Sequence, residues 1–208
     1  MKKKWFYPQR RVVYKMNTVI IDYDAGNVKS LQFALERLGV EAVLTDDIEL
    51  IAGADRVIFP GQGEAVSAMK KLKKHGLDQL IPSLKQPVLG ICLGMQLLCD
   101  ETEEGQTKGL GIVPTKVVKF PDSVKVPQMG WNIVTHSNTG LFQGIQQDCY
   151  MYLVHSYFVP IEPETSAKSN YAGEYSVAIN KNNFYGVQFH PEKSSKAGSQ
   201  LLENFLKI

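Results

Sequence analysis

The sequence predicts an α/β fold: a central, mostly parallel sheet flanked by helices, with an additional mixed or antiparallel strand region in the second half. Three observations predict it. From Thr18 to about residue 99, short apolar runs alternate with helical stretches, and such repetition builds a parallel sheet covered by helices. The run TVIID is apolar in the manner of a strand buried on both faces. Beyond residue 112 the pattern changes to longer, more exposed strands.

Taken in order, Thr18–Asp22 is the first strand. Asn27 is placed to cap a helix whose apolar positions Val28, Leu31, Ala34, Leu35 and Leu38 follow the helical period, and Gly39 ends it. Val40–Leu44 is the second strand. Arg56–Phe59 (RVIF) is the third, running into Pro60-Gly61-Gln62-Gly63, and a helix with Ala65, Met69 and Leu72 inward follows. After a short helical stretch, Leu77–Leu84, comes the fourth strand, Val88–Ile91, and a helix begins over Leu93–Cys99. Ile112–Phe120 and Val126–Thr135 read as the longer strands. Ser176–Ile179 and Phe184–Phe189 flank Asn180-Lys181-Asn182-Asn183, a polar connection that suggests a hairpin. Ser194 or Ser195 then caps a final helix with Ala197, Leu201, Leu202 and Phe205 on one face.

The totals narrow the function classes. The 208 residues suffice for one substantial core. A net charge of +2 gives no reason to expect a nucleic-acid or polyanion binder. Three cysteines make no disulfide framework and point to a reducing compartment, the cytoplasm. The basic, aromatic start MKKKWFYPQRRVVYK lacks the continuous apolar stretch of a signal peptide, and no run is long enough to span a bilayer. Residues 1–15 are therefore expected to be an arm outside the core, with one domain over residues 16–208. The four histidines and three cysteines show no metal-ligand spacing, so neither a metal nor a cofactor is expected.

In an open parallel sheet, ligands bind beyond the carboxyl ends of the strands. Three features fall there: Gly61-Gln62-Gly63, Gly90-Ile91-Cys92-Leu93-Gly94, and His190-Pro191-Glu192. The second has the spacing of a nucleophile elbow with sulfur in place of oxygen, where small neighbours let the side chain project into a cleft. The helix after it favours thiolate, and the Leu93 N–H is free to face an oxyanion. A cysteine there is equally a small core residue. His190 shifts that balance, because a thiol nucleophile needs a base and the base needs an orienter, which Glu192 can be. Together they read as a Cys92–His190–Glu192 triad.

GICLGMQLL with GVQFHPE resembles the class I glutamine amidotransferases, and the likeness runs from about Thr18 to the C-terminus. The segments IDYDAGNVKSL, FPGQGEA, GLGIVP, KVPQMGWN and FHPEKSS resemble in particular the glutaminase subunits of imidazole glycerol phosphate synthases. Asp24 and Gln128 depart from that pattern, where glycine and histidine are usual.

The resemblance implies a flavodoxin-like class I amidotransferase fold and a glutaminase. Cys92 would attack the side-chain amide of glutamine, His190 would protonate departing ammonia, and water would hydrolyse the glutamyl thioester. It also implies backbone oxyanion donors at Leu93 and at the Gln62-Gly63 turn. Glutamine would be bound by Gln96, Gly61 and the His155-Ser156-Tyr157 segment, although Gln96 by itself reads as an exposed helical residue. A cyclase subunit of imidazole glycerol phosphate synthase would be the partner in a heterodimer, met by segments holding Asn27, Trp131, Tyr152 and Lys193. Trp131 reads equally as a core aromatic and Lys193 as a solvated charge. The rival functions are a glutaminase serving another synthase, a stand-alone γ-glutamyl hydrolase, and a subunit with a dead site. Of the remaining histidines and cysteines, His75 reads as a solvated helix end and His136 as a loop residue, with Cys99 and Cys149 in the core.

Overall fold

In a computed structural model, which describes residues 17–24 and 28–208, the first half of the chain builds a parallel sheet from short buried strands. In chain order the elements of this half are β1 (Thr18–Ile21), α1 (Lys29–Arg37), β2 (Val43–Thr45), α2 (Ile48–Ala52), β3 (Arg56–Phe59), α3 (Ala65–Lys74), α4 (Leu77–Ser83), β4 (Val88–Ile91) and α5 (Leu93–Leu97). The second half adds β5 (Cys99–Thr102), β6 (Thr107–Lys108), β7 (Val113–Lys119), β8 (Gln128–His136), β9 (Cys149–His155), β10 (Tyr157–Phe158), β11 (Thr165–Asn170), β12 (Glu174–Lys181), β13 (Phe184–Val187) and α6 (Ser195–Phe205).

Nine strands form one sheet in the order β2-β1-β3-β4-β13-β12-β11-β8-β9. The first five are mutually parallel and the remaining ladders antiparallel, so the second half of the chain continues the sheet of the first. A smaller sheet, β10-β7-β5-β6, lies beside it. Every residue of β1, β3 and β4 is buried, as apolar runs covered on both faces require. Successive side chains go to opposite layers. Ile20 packs with Leu31 and Leu35 of α1 and with Leu201 and Phe205 of α6, while Val19 and Ile21 pack with Met69 and Leu72 of α3 and Leu77 of α4.

Local chemistry sets the element ends. Gly39 (φ 84°) closes α1, with its N–H on the Glu36 carbonyl and that of Val40 on the Leu35 carbonyl, the paired bonds of a Schellman stop. Asp47 caps α2 by accepting from the Glu49 and Leu50 N–H groups.

Several sequence expectations are corrected. The second strand is Val43–Thr45 rather than Val40–Leu44, because Val40 is taken up by the stop of α1. The helix after Cys92 ends at Leu97, and Cys99 opens a strand that pairs with Val113. The hairpin connection tightens to Asn182 and Asn183, since Lys181 already pairs with Phe184. Ser194 precedes α6 without capping it: its hydroxyl donates to the His190 carbonyl at 2.7 Å and accepts from the Tyr152 N–H at 2.9 Å. His136 ends β8, buried and stacked on Phe142. His75 faces Asp46 at 3.1 Å. The arm at 1–15 and Asn27, with its expected cap and interface role, lie outside the described residues. Among the described residues no helix is long and apolar enough to cross a membrane.

Candidate active site

Cys92 stands at the turn between β4 and α5 with φ 55° and ψ −112°. A non-glycine residue at positive φ is strained, and the surroundings must hold it there. They do so by close backbone packing. A Cβ on Gly94 would lie 2.0 Å from the Phe59 carbonyl oxygen, and one on Gly61 would lie 2.4 Å from the Gly94 nitrogen. The glycines thus let the ends of β3 and β4 press together while the Cys92 side chain faces a cleft.

The topology brings the base to the nucleophile. β13 lies parallel to β4 with Val187 opposite Ile91, and the Cys92 N–H donates to the Val187 carbonyl at 2.8 Å. The segment after β13 is tied to β9 by the His190 N–H on the Tyr152 carbonyl. His190 Nδ1 is 3.0 Å from Glu192 Oε1, with both side chains nearly buried, and His190 also hydrogen-bonds Cys92. Burial opposes a charge on the imidazole. The hydrogen bonds to Cys92 and Glu192, and their negative charges, outweigh it and push the pKa of His190 up to about 10. At neutral pH the ring is therefore an imidazolium, placed between the Cys92 sulfur and the Glu192 carboxyl group. Glu192 Oε2 is buried without a hydrogen-bond partner, so the charge on His190 is what offsets keeping that carboxylate inside.

The cleft has a volume of about 400 Å³, within the range of small-molecule sites. It is lined by Cys92, His190, Leu93, Gln62, Gly63, Gln96, His155, Ser156 and Tyr157, which the sequence placed at the site, by Lys193, which it placed at the partner interface, and by Glu104, Pro127 and Val154, which it assigned to neither. Gly61 lines a smaller cavity behind the triad instead, together with Glu192. Gln96 is 5% exposed and donates from Nε2 to the Tyr157 carbonyl and to Gln188 Oε1. The exposed helical glutamine is thereby excluded. His155 hydrogen-bonds the Tyr157 carbonyl through Nδ1, at 2.7 Å, and faces the Tyr175 hydroxyl through Nε2. Burial, helped by the charge of His190 and only partly offset by the Tyr157 bond, pulls its pKa down to about 4, so it is neutral and orders the cleft wall. Gln128 joins this wall by accepting from the Tyr175 hydroxyl at 2.7 Å.

Glu104 had no motif to announce it. Its Oε2 accepts the Ala65 N–H at 2.9 Å, burial raises its carboxyl pKa, and it is an acidic group in the cleft. Tyr23 is a second omission: its hydroxyl donates to the Pro60 carbonyl under the elbow, and burial first, then the charge of Cys92, raises its pKa. Cys99 is buried and its thiol is pushed up to about 12, which makes it inert, and Cys149 is half-buried. Among the described residues no group of three or more His, Cys, Asp or Glu is placed to hold a metal ion.

Beside the cleft, the β8–β9 hairpin turns an apolar face to solvent. Met129, Trp131, Ile133 and Tyr150 are each exposed. Trp131 is opposite Tyr152 in the ladder, with the rings 6.0 Å apart, and Lys193 Nζ lies 6.0 Å from the centre of the Tyr152 ring. Trp131 is thus no core aromatic, and Lys193 is exposed.

Comparison with known proteins matches the same features. The family model described as glutamine amidotransferase class-I matches residues 19–208. The imidazole glycerol phosphate synthase subunit HisH of Bacteroides fragilis strain YCH46 is 50% identical, covering 93% of this chain and 100% of that protein. Those of Bacteroides thetaiotaomicron and Yersinia pseudotuberculosis serotype I are 48% and 44% identical with the same coverage. Among solved structures, a putative GMP synthase protein from Thermoplasma acidophilum shares the fold at a TM-score of 0.71, 21% identity, 92% of this chain and 93% of that one. A further structure titled glutamine amidotransferase gives a TM-score of 0.72 at 19% identity, covering 91% of this chain and 97% of that one. A cysteine elbow facing a His–Glu pair, in a fold and sequence matched over nearly the whole chain, leaves one conclusion: this protein belongs to the class-I glutamine amidotransferase family, in the branch of the imidazole glycerol phosphate synthase HisH subunits.

Proposed function

We propose that the chain is a glutaminase subunit that hydrolyses glutamine through Cys92, His190 and Glu192 and passes the ammonia to a cyclase subunit of imidazole glycerol phosphate synthase. The observation that carries this reading is the Cys92–His190–Glu192 constellation opening into a cleft of about 400 Å³. The thiolate of Cys92 attacks the side-chain amide carbon, and the electron pair of the C=O bond moves onto oxygen. The Leu93 N–H, in the first turn of α5, and those of Gln62 and Gly63 are the donors offered to that oxyanion. Collapse of the adduct expels the amide nitrogen, which takes its proton from His190 and leaves as ammonia. The neutral imidazole then draws a proton from water as the water attacks the thioester. Glutamate leaves and the thiolate–imidazolium pair is restored.

Glutamine carries a carboxylate and an ammonium beside its amide. Glu104 and the Gln96 carbonyl supply acceptors for the ammonium, with the His155-Ser156-Tyr157 segment along the wall. Gly61 serves by letting the loop approach the elbow. The exposed face holding Trp131 and Tyr152, together with Lys193 at the cleft rim, is the surface for the cyclase. The three free cysteines support a cytoplasmic enzyme.

The test is Cys92→Ala in the complex with its cyclase. Glutamine-dependent synthesis is expected to fall by about 10³-fold or more, while synthesis from added ammonia persists. Undiminished glutamine use, or no rescue by ammonia, would remove this reading.

A further inference from the structure

Gln188 sits between the end of β13 and His190 and is fully buried. Its N–H donates to the Val177 carbonyl at 2.8 Å, which fixes the backbone in the sheet. The two-residue spacing of an extended chain sends Gln188 and His190 to one side and Phe189 to the other, into the core. Gln188 Nε2 then lies 3.7 Å from Cys92 Sγ, and its Oε1 accepts from Gln96 Nε2 at 2.8 Å.

The orientation of these two amides is fixed by a group that cannot be turned around. The Tyr157 carbonyl only accepts, so the group 2.9 Å from it must be the Nε2 of Gln96. Gln96 therefore presents a second N–H to Gln188, which must answer with Oε1, since a donor there would face a donor. That leaves Gln188 Nε2 for the sulfur. The chain from Tyr157 through Gln96 and Gln188 to Cys92 runs in a single direction. It commits both Nε2 protons of Gln96, so only Gln96 Oε1 remains to meet a ligand. It also gives the sulfur a donor in addition to His190.

We propose that Gln188 is a positioning residue for the glutaminase reaction: it locks Gln96 with its oxygen toward the substrate and steadies the thiolate of Cys92 with an N–H. The sulfur has a different partner in each protonation state. As a thiol it is 3.8 Å from the Val154 carbonyl, to which S–H donates, whereas as a thiolate it accepts from Gln188 and His190. Gln188 thus biases the resting site toward the nucleophilic form and sets the sign of the binding wall with the same side chain.

This inference rests on Cys92 being the nucleophile, and its test reads the sulfur directly. In the full chain, alkylation of Cys92 by iodoacetamide is followed across pH for the unaltered protein and for Gln188→Met, which keeps the volume and removes both polar arms. The expected result is about a tenfold slower alkylation at neutral pH, with the profile moved to higher pH by about one unit. The KM for glutamine in the complex should rise about tenfold as Gln96 loses its lock. A folded Gln188→Met chain with an unchanged alkylation profile overturns the proposal. If that variant does not fold, the side-chain amide resonances of Gln188 are followed in the unaltered chain. They should shift with the titration of the Cys92 sulfur and lose that shift in Cys92→Ser; resonances indifferent to the sulfur overturn the proposal. Failure of the nucleophile assignment itself would look different, with Cys92→Ala still turning over glutamine.

Discussion

Glu192 reaches His190 through Oε1 alone, and its other oxygen is buried without a hydrogen-bond partner. Its charge is therefore directed almost wholly at the imidazole, which burial would otherwise keep neutral. Glu192→Gln keeps the shape and removes the charge, so the pKa of His190 should fall from about 10 toward the ordinary range. The ring then loses its proton at lower pH, and the alkaline limb of glutamine turnover should move down in pH with it. Turnover at neutral pH should drop by about 10²–10⁴-fold. The pH dependence of kcat/KM for the two proteins checks this, and an unmoved alkaline limb would detach Glu192 from the base. Cys92, His190 and Glu192 were legible in the sequence because elbow spacing and His-Pro-Glu are local patterns. Gln188 and Glu104 were not, because what defines them is an approach across the fold, from Gln188 to Gln96 and from Glu104 to the start of α3.

β9 carries two jobs on alternate faces. Tyr150 and Tyr152 look outward, while Met151, Leu153 and His155 are buried. His155 is neutral in the folded protein with a pKa near 4, whereas in the unfolded chain it titrates near 6.5. Between those values only the unfolded state takes up the proton, so stability should fall as pH drops from about 6.5 to about 4, by a total on the order of 3 kcal/mol. Comparing the pH dependence of denaturant unfolding in the unaltered chain and in His155→Gln isolates this contribution; equal slopes through that window would contradict it. The elements themselves were best read where burial is complete: β3 and β4 match their sequence limits residue for residue. Short elements were missed where length gives no period. Five-residue α2 was passed over despite its Asp47 cap, and five-residue α5 was drawn too long because Cys99 pairs with β7 rather than continuing the helix.

The whole molecule gathers its chemistry at the carboxyl ends of β3, β4 and β13 and its exposed apolar face on the adjoining hairpin. That neighbourhood is what an ammonia-donating subunit needs, since the cleft and the proposed docking face share the β9 wall and Lys193. The parallel half was legible from alternation alone. The return of β13 to the side of β4, which carries His190 to Cys92, has no local signal, since those strands are far apart in sequence and meet only through the topology. Trp131→Ala should leave thermal unfolding of the chain within about 0.5 kcal/mol, because the ring is 52% exposed. The same variant should weaken association with the cyclase by about tenfold or more, as read by titration of the complex. Full affinity would move the docking surface elsewhere. The central claim, that glutamine is opened by the sulfur of Cys92, is tested most directly by quenching the working complex with acid and weighing the peptide that contains Cys92. A glutamyl group is expected on Cys92 in glutamine-fed samples and is absent in Cys92→Ala. Rapid glutamine turnover by a Cys92→Ala complex, with no glutamyl group on Cys92 in the unaltered one, would contradict it.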